Sequence, residues 1–260
     1  MIDPAIQAEI KTRLAELAAH YEVKIICAIE SGSRSWGFPS PDSDYDVRFV
    51  YAHPPEWYIQ LSPERDVIEL PVNAVLDISG WDVRKAMTLA NGGNSVIQEW
   101  LISPLVYHED ELLAPALREL VARTFNAKAT FHHYRAMAQN MVAALDEPDM
   151  KLKRFFYISR ATLSALWVLR EHTMPTVVFA DLLRALTVDA EVLAAFERQI
   201  ADKAGRTEAE SGVVAPVCLR FVRAAYQEIM AADMAVLPPR YKALVNDDLR
   251  EYLALLKTVW

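Results

Sequence analysis

Two carboxylates lie two positions apart in the segment Asp44-Tyr45-Asp46, shortly after a Gly32-Ser33 pair. Side chains alternate across a β-strand, so Asp44 and Asp46 project from the same face where this segment is extended. Two carboxylates on one face can hold Mg²⁺, and a Gly-Ser turn lets backbone N–H groups approach phosphate oxygens closely. The spacing therefore predicts a site for a divalent metal and a phosphate, with the Ser33 hydroxyl as a further donor.

A site with two metal ions commonly takes a third carboxylate from a neighbouring strand. In the strand-like segment 66–79 the residues on either side of Asp77 are apolar, which leaves Asp77 on the polar face. We therefore expect Asp77 to be the third ligand and a candidate base for an acceptor hydroxyl. The alternatives are Asp82, which we expect in the first turn of a helix, and Glu69 on the preceding strand segment.

Other metals fit the sequence poorly. A calcium loop that starts at Asp42 would need glycine at its sixth position and glutamate at its twelfth, where this chain has Val47 and His53. The two cysteines, Cys27 and Cys218, lie far apart and outside any Cys/His spacing typical of zinc. The sequence thus excludes an EF-hand and a cysteine-based zinc site.

Strands precede helices along the chain. Strands are predicted at 23–29, at 44–52 and within 66–79. Helices are predicted at 4–20, 81–90, 109–127, 128–146, 150–172, 177–187, 189–205, 214–235 and 241–258. This order predicts an α+β fold with a helical C-terminal half.

One predicted helix carries a stripe of basic, aromatic and hydroxyl side chains. The stripe consists of Lys153, Tyr157, Arg160 and Ser164. Spacings of four, three and four residues place these side chains on one helical face. From the residues alone, the stripe is either a solvated face or a contact for a nucleotide.

Two further interpretations stay open at this point. Arg48 lies two residues past Asp46, where it either contacts phosphate or neutralises the acid cluster. Trp36, Trp81 and Trp100 are either core residues or surfaces on which a base stacks.

Gly32-Ser33, followed after ten residues by Asp44-Tyr45-Asp46-Val47, resembles the signature of the DNA polymerase β-like nucleotidyltransferase superfamily. Further motifs are similar to its RlaP branch, a group of predicted nucleotidyltransferases associated with RNA repair. These motifs are Gly32-Ser33-Arg34-Ser35-Trp36-Gly37-Phe38, Asp77 to Ala86, Gly93-Asn94, Glu99-Trp100-Leu101, Ser103-Pro104, Lys151 to Trp167, Pro175 and Phe179 to Leu183.

The resemblance implies a chemistry and a set of residue roles. An NTP, with ATP as the expected donor, would transfer its NMP unit and release pyrophosphate with two Mg²⁺ ions, or Mn²⁺ in their place. Asp44 and Asp46 would hold both metals, and Asp77 would hold the acceptor-side metal. The nucleotide-binding residues would be Gly32, Ser33, Arg34, Lys153, Tyr157 and Arg160.

It also implies that residues 1–108 form the catalytic nucleotidyltransferase domain, a small mixed sheet with flanking helices, and that the domain boundary lies between residues 108 and 109. Residues 109–260 would then be a helical domain that closes the nucleotide cleft.

The acceptor is constrained mainly by charge. The chain has 260 residues, a net charge of −8 and a pI near 5.3, so any contact with RNA must be local. The RlaP resemblance favours an RNA end as the acceptor, with a protein hydroxyl or a small molecule as alternatives. A second class of function is a non-catalytic nucleotide-sensing or antitoxin-like module.

The location expected from the sequence is the cytoplasm. The start lacks the basic and apolar regions of a signal peptide. No run of residues approaches the roughly 18 apolar positions of a membrane span, so we expect no membrane association.

Overall fold

The computed structural model describes residues 2–62, 65–71, 75–147, 149–210, 212–239, 244 and 246–260. The chain folds into two compact units, and both are discontinuous in sequence. The first, which we call the sheet unit, comprises Met1–Ser31, Asp44–Thr124 and Tyr241–Trp260. The second, the helical unit, comprises Gly32–Ser43 and Phe125–Arg240.

The described strands form a five-stranded mixed sheet in the order β3-β4-β2-β1-β5. These strands are β1 Lys24–Glu30, β2 Tyr45–Ala52, β3 Val67–Glu69, β4 Leu76–Asp82 and β5 Val106–Glu109. The pair β2/β4 is parallel, and the pairs β1/β2, β1/β5 and β3/β4 are antiparallel.

Helices supply the rest of the described regular structure. The α-helices are α1 Pro4–His20, α2 Gly32–Ser35, α3 Val83–Asn91, α4 Ser95–Leu101, α5 Leu113–Arg123, α6 Ala127–Met141, α7 Leu152–Glu171, α8 Phe179–Ala185, α9 Ala190–Ala204, α10 Pro216–Ala231 and α11 Asn246–Leu256. Short 3₁₀ helices span Pro55–Ile59, Val142–Asp146 and Met234–Val236. A mixed sheet accompanied by many helices confirms the α+β prediction.

The sheet is covered on both faces. The odd-numbered residues of β2 pack in a cluster with the apolar face of α1, as Val47 and Phe49 do. Val50 and Ala52 belong to a second cluster with α3, α4, α5 and α11. Asp46 and Arg48 continue this second face toward the start of β2, where the side chains are half-buried rather than buried. The alternation of β2 therefore leaves its polar residues at one end of a covered face.

The helical unit is organised around α7, most of whose residues are buried. Phe38, in the Gly32–Ser43 segment, is fully buried in this core. Its ring centroid lies 5.0 Å from that of Phe156 and 5.8 Å from that of Phe179. Aromatic packing thus anchors the segment after β1 in the helical unit.

Several sequence predictions of local structure need correction. Residues 106–109 form β5 against β1, where no strand was predicted, so the helix predicted from 109 begins only at Leu113. Trp81 and Asp82 extend β4 because they pair with Val50 and Tyr51, and α3 therefore starts at Val83.

Two predicted segments run partly outside the described residues. They are residues 72–74 of the predicted strand region and residues 241–243 and 245 of the last predicted helix.

The predicted boundary between residues 108 and 109 does not coincide with the compact units. Leu113, Leu117 and Tyr252 of α5 and α11 are buried in one cluster of the sheet unit. As a division of function, the catalytic domain 1–108 and the helical domain 109–260 remain a prediction. Among the described helices, none is both long and apolar enough to cross a membrane.

Candidate active site

The sheet unit brings Asp46 and Asp77 together on two neighbouring parallel strands. The register of β2 and β4 pairs the two aspartates directly. Both are half-buried, whereas the residues on either side of each are buried. Because neighbouring strands lie about 4.8 Å apart, the two carboxylates share one face at close range.

Arg48 bridges this pair. Its Nη2 lies 3.0 Å from Asp46 Oδ1 and 2.7 Å from Asp77 Oδ2. Its Nη1 donates to the backbone carbonyl oxygens of Asp77 at 2.9 Å and Val47 at 3.1 Å. The side chains of Arg48, Asp46 and Asp77 are 19%, 22% and 27% exposed, so solvent screens the interaction only partly. Of the two roles predicted for Arg48, these contacts show neutralisation of the acid cluster.

The position between the two carboxylates suits a positive charge. Mg²⁺ is bound in proteins through one or two carboxylates while it keeps several waters, so the oxygen donors of Asp46 and Asp77 fit that ion. Within the described ranges, no group of three or more His, Cys, Asp or Glu side chains is arranged to hold a metal. Asp44 precedes β2 and is exposed. The structure thus gathers two of the three predicted ligands, and the complete set of three stays a prediction.

The two alternative third carboxylates have other surroundings. Asp82 is fully buried and caps α3, where its Oδ1 accepts from Arg84 N at 2.8 Å. Its Oδ2 accepts from the Tyr58 hydroxyl at 2.8 Å, and burial raises the pKa of this carboxyl. Glu69 is exposed on β3, which pairs with β4 and not with β2, and it forms an ion pair with Arg65. Only Asp77 of the three is paired with Asp46.

Sequence reasoning missed Glu30, the last residue of β1. Glu30 is fully buried, and its Oε1 accepts from the backbone N–H of Asp46 at 3.0 Å. Its Oε2 accepts from the Tyr107 hydroxyl, and its backbone oxygen accepts from Ser103 Oγ at 2.7 Å. A buried carboxylate thereby fixes the start of β2. A charged residue directly after the apolar run of β1 was the available signal.

The Gly-Ser turn lies in the helical unit as the short helix α2. Gly32 has φ +62°, in the left-handed region that glycine adopts without strain. Its carbonyl accepts from Trp36 N at 3.0 Å, and the Ser33 carbonyl accepts from Phe38 N at 3.0 Å. The Arg34 guanidinium donates to the backbone oxygen of Ser43 at 2.5 Å. Arg34 therefore closes the segment that ends directly before Asp44.

The α7 stripe faces this segment within the helical unit. The guanidinium carbon of Arg160 lies 4.2 Å from the centre of the Trp36 ring, and the ring of Tyr157 lies 5.1 Å from it. Lys153 Nζ lies 5.9 Å from the Tyr157 ring. The structure thus places the six predicted nucleotide contacts in one unit.

Arg160 and Ser164 of the stripe do not lie on a solvated face. Arg160 is 4% exposed and Ser164 is fully buried. Ser164 Oγ has no hydrogen-bond partner within the described structure. A guanidinium buried among aromatic rings gains a cation–π contact while it keeps its charge. Burial of Arg160 and Ser164 therefore rules out the solvated-face alternative for their part of the stripe.

The three tryptophans divide between two environments. Trp100 is 5% exposed, and its ring centroid lies 4.0 Å from that of Trp81, which packs partly buried against the same core. Trp36 is half-buried beside Arg160 and Tyr157. Trp100 and Trp81 are thus core residues of the sheet unit, and Trp36 packs against Arg160 and Tyr157 of the stripe.

Known proteins match this chain over nearly its whole length. Residues 6–252 match the family described as RlaP, the RNA repair pathway DNA polymerase beta family. The chain is 37% identical over 248 residues to the uncharacterized protein YcgL of Bacillus subtilis, covering 95% of each chain. A crystal structure of a nucleotidyltransferase-like protein from Exiguobacterium sibiricum aligns with 98% of this chain and 89% of its own, at 13% identity and a TM-score of 0.31.

Proposed function

Because this chain belongs to the RNA repair pathway DNA polymerase beta family, we propose that it is a Mg²⁺-dependent nucleotidyltransferase. The reaction would transfer the NMP unit of an NTP, ATP in the first instance, to an acceptor hydroxyl. The observation that carries the proposal is the pairing of Asp46 and Asp77 around one cationic centre.

The carboxylates of the sheet unit would supply the metal ligands. Asp46 and Asp77 would hold Mg²⁺ together with Asp44, and Mn²⁺ would serve in its place. Two such ions, when bound, neutralise charge on the attacking and leaving oxygens of an in-line displacement. Asp77 would also accept the proton of the acceptor hydroxyl. The acceptor oxygen then bonds to the α-phosphorus, the bond from that phosphorus to the bridging oxygen breaks, and pyrophosphate leaves.

The residues of the helical unit would bind the donor. Backbone N–H groups at Gly32 and Ser33, with the Ser33 hydroxyl, would contact the β- and γ-phosphates. Arg34 and Lys153 would add positive charge for the triphosphate. Tyr157 and Arg160, which lie against Trp36, would contact the nucleotide through a ring face or a guanidinium.

We propose an RNA end as the acceptor and the cytoplasm as the location. The family description refers to RNA repair, which supports this acceptor over a protein hydroxyl or a small molecule. With a net charge of −8, contacts to RNA would be confined to the neighbourhood of the site.

A transfer assay tests the proposal. The protein is incubated with α-³²P-labelled ATP, Mg²⁺ and a panel of RNA, protein and small-molecule acceptors. We expect label on RNA that ribonuclease removes. Asp46→Ala and Asp77→Ala should lower the rate of transfer by at least about a hundredfold. Each variant loses several kcal/mol of charge stabilisation in the transition state, and roughly 1.4 kcal/mol corresponds to a tenfold change in rate.

Asp82→Asn is the matched control, because Asp82 contacts Tyr58 and the α3 backbone rather than Asp46. It should keep transfer near the wild-type rate. ATP binding without transfer or pyrophosphate release across the whole panel would contradict the enzyme and favour a non-catalytic nucleotide-binding module.

A further inference from the structure

The connection between α9 and α10 returns to the segment that precedes Asp44. Glu208, in this connection, donates its backbone N–H to Asp42 Oδ1 at 2.9 Å and to Oδ2 at 3.1 Å. Its Oε1 accepts from Ser43 Oγ at 2.9 Å, and its Oε2 accepts from Lys153 Nζ. One residue therefore joins the end of the Gly32–Ser43 segment to the stripe of α7.

Lys203 of α9 makes a second connection to the same segment. It is 2% exposed, and its Nζ donates to Ser40 Oγ at 2.8 Å. Ser40 N in turn donates to Ser43 Oγ at 3.0 Å. Burial lowers the pKa of Lys203, while the charge of Glu208 opposes that shift. Lys153 and the Ser43 hydroxyl thus contact the Glu208 carboxylate directly, and the buried charge of Lys203 interacts with it electrostatically.

These donors are ones that also bind phosphate. An ammonium group and a hydroxyl form charge-assisted hydrogen bonds with carboxylate and phosphate oxygens alike. The Lys153 and Glu208 side chains are 39% and 22% exposed, so a solute anion can reach the pair from solvent.

We propose that the Glu208 carboxylate competes with the triphosphate of the NTP for Lys153. In the nucleotide-free protein this carboxylate accepts hydrogen bonds from the Lys153 ammonium and the Ser43 hydroxyl. When an NTP binds, its phosphate oxygens accept these hydrogen bonds instead. This inference rests on the proposed function, in which Lys153 binds the donor. It gives the C-terminal part of the helical unit a role in controlling nucleotide affinity.

Affinity for α,β-methylene-ATP with Mg²⁺, measured by isothermal titration calorimetry, tests this role. Glu208→Gln removes the competing charge and should lower the Kd roughly two- to fivefold, the range that a partly exposed ion pair provides. Glu228→Gln is the matched control, since it breaks the Arg170–Glu228 ion pair elsewhere in the helical unit. It should leave the Kd unchanged.

A double-variant cycle ties the effect to Lys153. Lys153→Met should weaken binding, and adding Glu208→Gln to it should bring no further tightening. If thermal melting shows Glu208→Gln to be unfolded, Glu208→Asp retracts the carboxylate by one methylene and should tighten binding to a smaller extent.

The outcomes separate the two proposals. An unchanged or higher Kd for folded Glu208→Gln or Glu208→Asp, with normal binding by the wild type, would overturn the competition while the proposed function stands. Absence of binding by the wild type and by every variant would overturn the proposed function as well. Binding by the Glu208 variants alone would support both.

Discussion

At the scale of single residues, the arrangement of Arg48 with Asp46 and Asp77 defines the candidate site. Two partly buried carboxylates at neighbouring strand positions repel each other unless a positive charge lies between them. In this structure that charge is the Arg48 guanidinium. A divalent cation held by the same oxygens would compete with it, so metal binding at this position would be coupled to the Arg48 contacts.

We expect Arg48→Gln to destabilise the protein without metal by about 1–3 kcal/mol, between the values for exposed and buried ion pairs. Metal should compensate for this loss. The increase in Tm on adding Mn²⁺ should therefore be larger for the variant than for the wild type, as measured by differential scanning fluorimetry with and without EDTA.

Arg118→Gln provides the control for that comparison. It breaks the Arg118–Glu109 ion pair, whose side chains are 32% and 33% exposed. Glu109 lies in the same unit on β5, which β1 separates from β2, the strand of Asp46. Its Tm should respond to Mn²⁺ as the wild type does. An equal response from all three proteins would show that Arg48 and the metal do not share a site.

At the scale of elements, the strand patterns predict the faces of side chains but not their neighbours. The alternation of β2 indicates that Asp46 and Arg48 share a face, and the apolar neighbours of Asp77 indicate a polar face on β4. That β2 and β4 are adjacent and parallel depends on the whole sheet, so sequence reasoning leaves Asp82 and Glu69 as rivals.

The elements that sequence reasoning missed are those whose signals are short or non-local. β5 has four residues, mostly exposed, and its strand character comes from pairing with β1. Glu30 and Glu208 act through contacts with residues 16 or more positions away. No periodicity reports such contacts, because each depends on tertiary packing.

Asp82 provides a test at the junction of β4 and α3. Burial raises the pKa of its carboxyl in the folded state, so the folded protein favours the neutral form. The contribution of this carboxyl to the free energy of unfolding is fully present below its pKa in the unfolded chain, near 3.8. It decreases as the pH rises through the pKa in the folded protein. Asp82→Asn lacks this titration and keeps a capping oxygen.

We therefore expect Asp82→Asn to gain stability relative to the wild type as the pH rises from about 4 to about 7. Urea unfolding followed by circular dichroism at several pH values measures the difference. Asp82→Ala removes the cap and the acceptor for Tyr58, so it should be less stable than Asp82→Asn by about 1–3 kcal/mol at all of these pH values. A growing deficit of Asp82→Asn with rising pH would contradict the assigned direction.

At the scale of the whole molecule, the sequence motif that runs from Gly32-Ser33 to Asp44-Tyr45-Asp46 is divided between two units. The chain passes from one unit to the other after residues 31, 43, 124 and 240. As a result, Gly32–Ser43 belongs to the helical unit, whereas Asp44, Asp46 and Asp77 belong to the sheet unit. The motif spacing contains no sign of this division, because it records sequence separation and not the core in which Phe38 packs.

This division predicts separate responses to the two ligands, which hydrogen–deuterium exchange read by mass spectrometry can resolve. Mn²⁺ alone should slow exchange in peptides that cover β2 and β4, where Asp46 and Asp77 lie. α,β-Methylene-ATP in EDTA should slow exchange in Gly32–Ser43 and in the first turns of α7. At a ligand concentration about a hundredfold above Kd, local unfolding that requires release of the ligand should become about a hundredfold rarer.

Peptides from α10 serve as the internal reference in the same experiment, since that helix contributes none of the proposed ligands. Their exchange should stay constant under all conditions. Protection of β2 and β4 by the nucleotide in EDTA, with none in Gly32–Ser43, would contradict the assignment of phosphate binding to the helical unit. Protection of α7 by Mn²⁺ alone would likewise move the metal site away from Asp46 and Asp77.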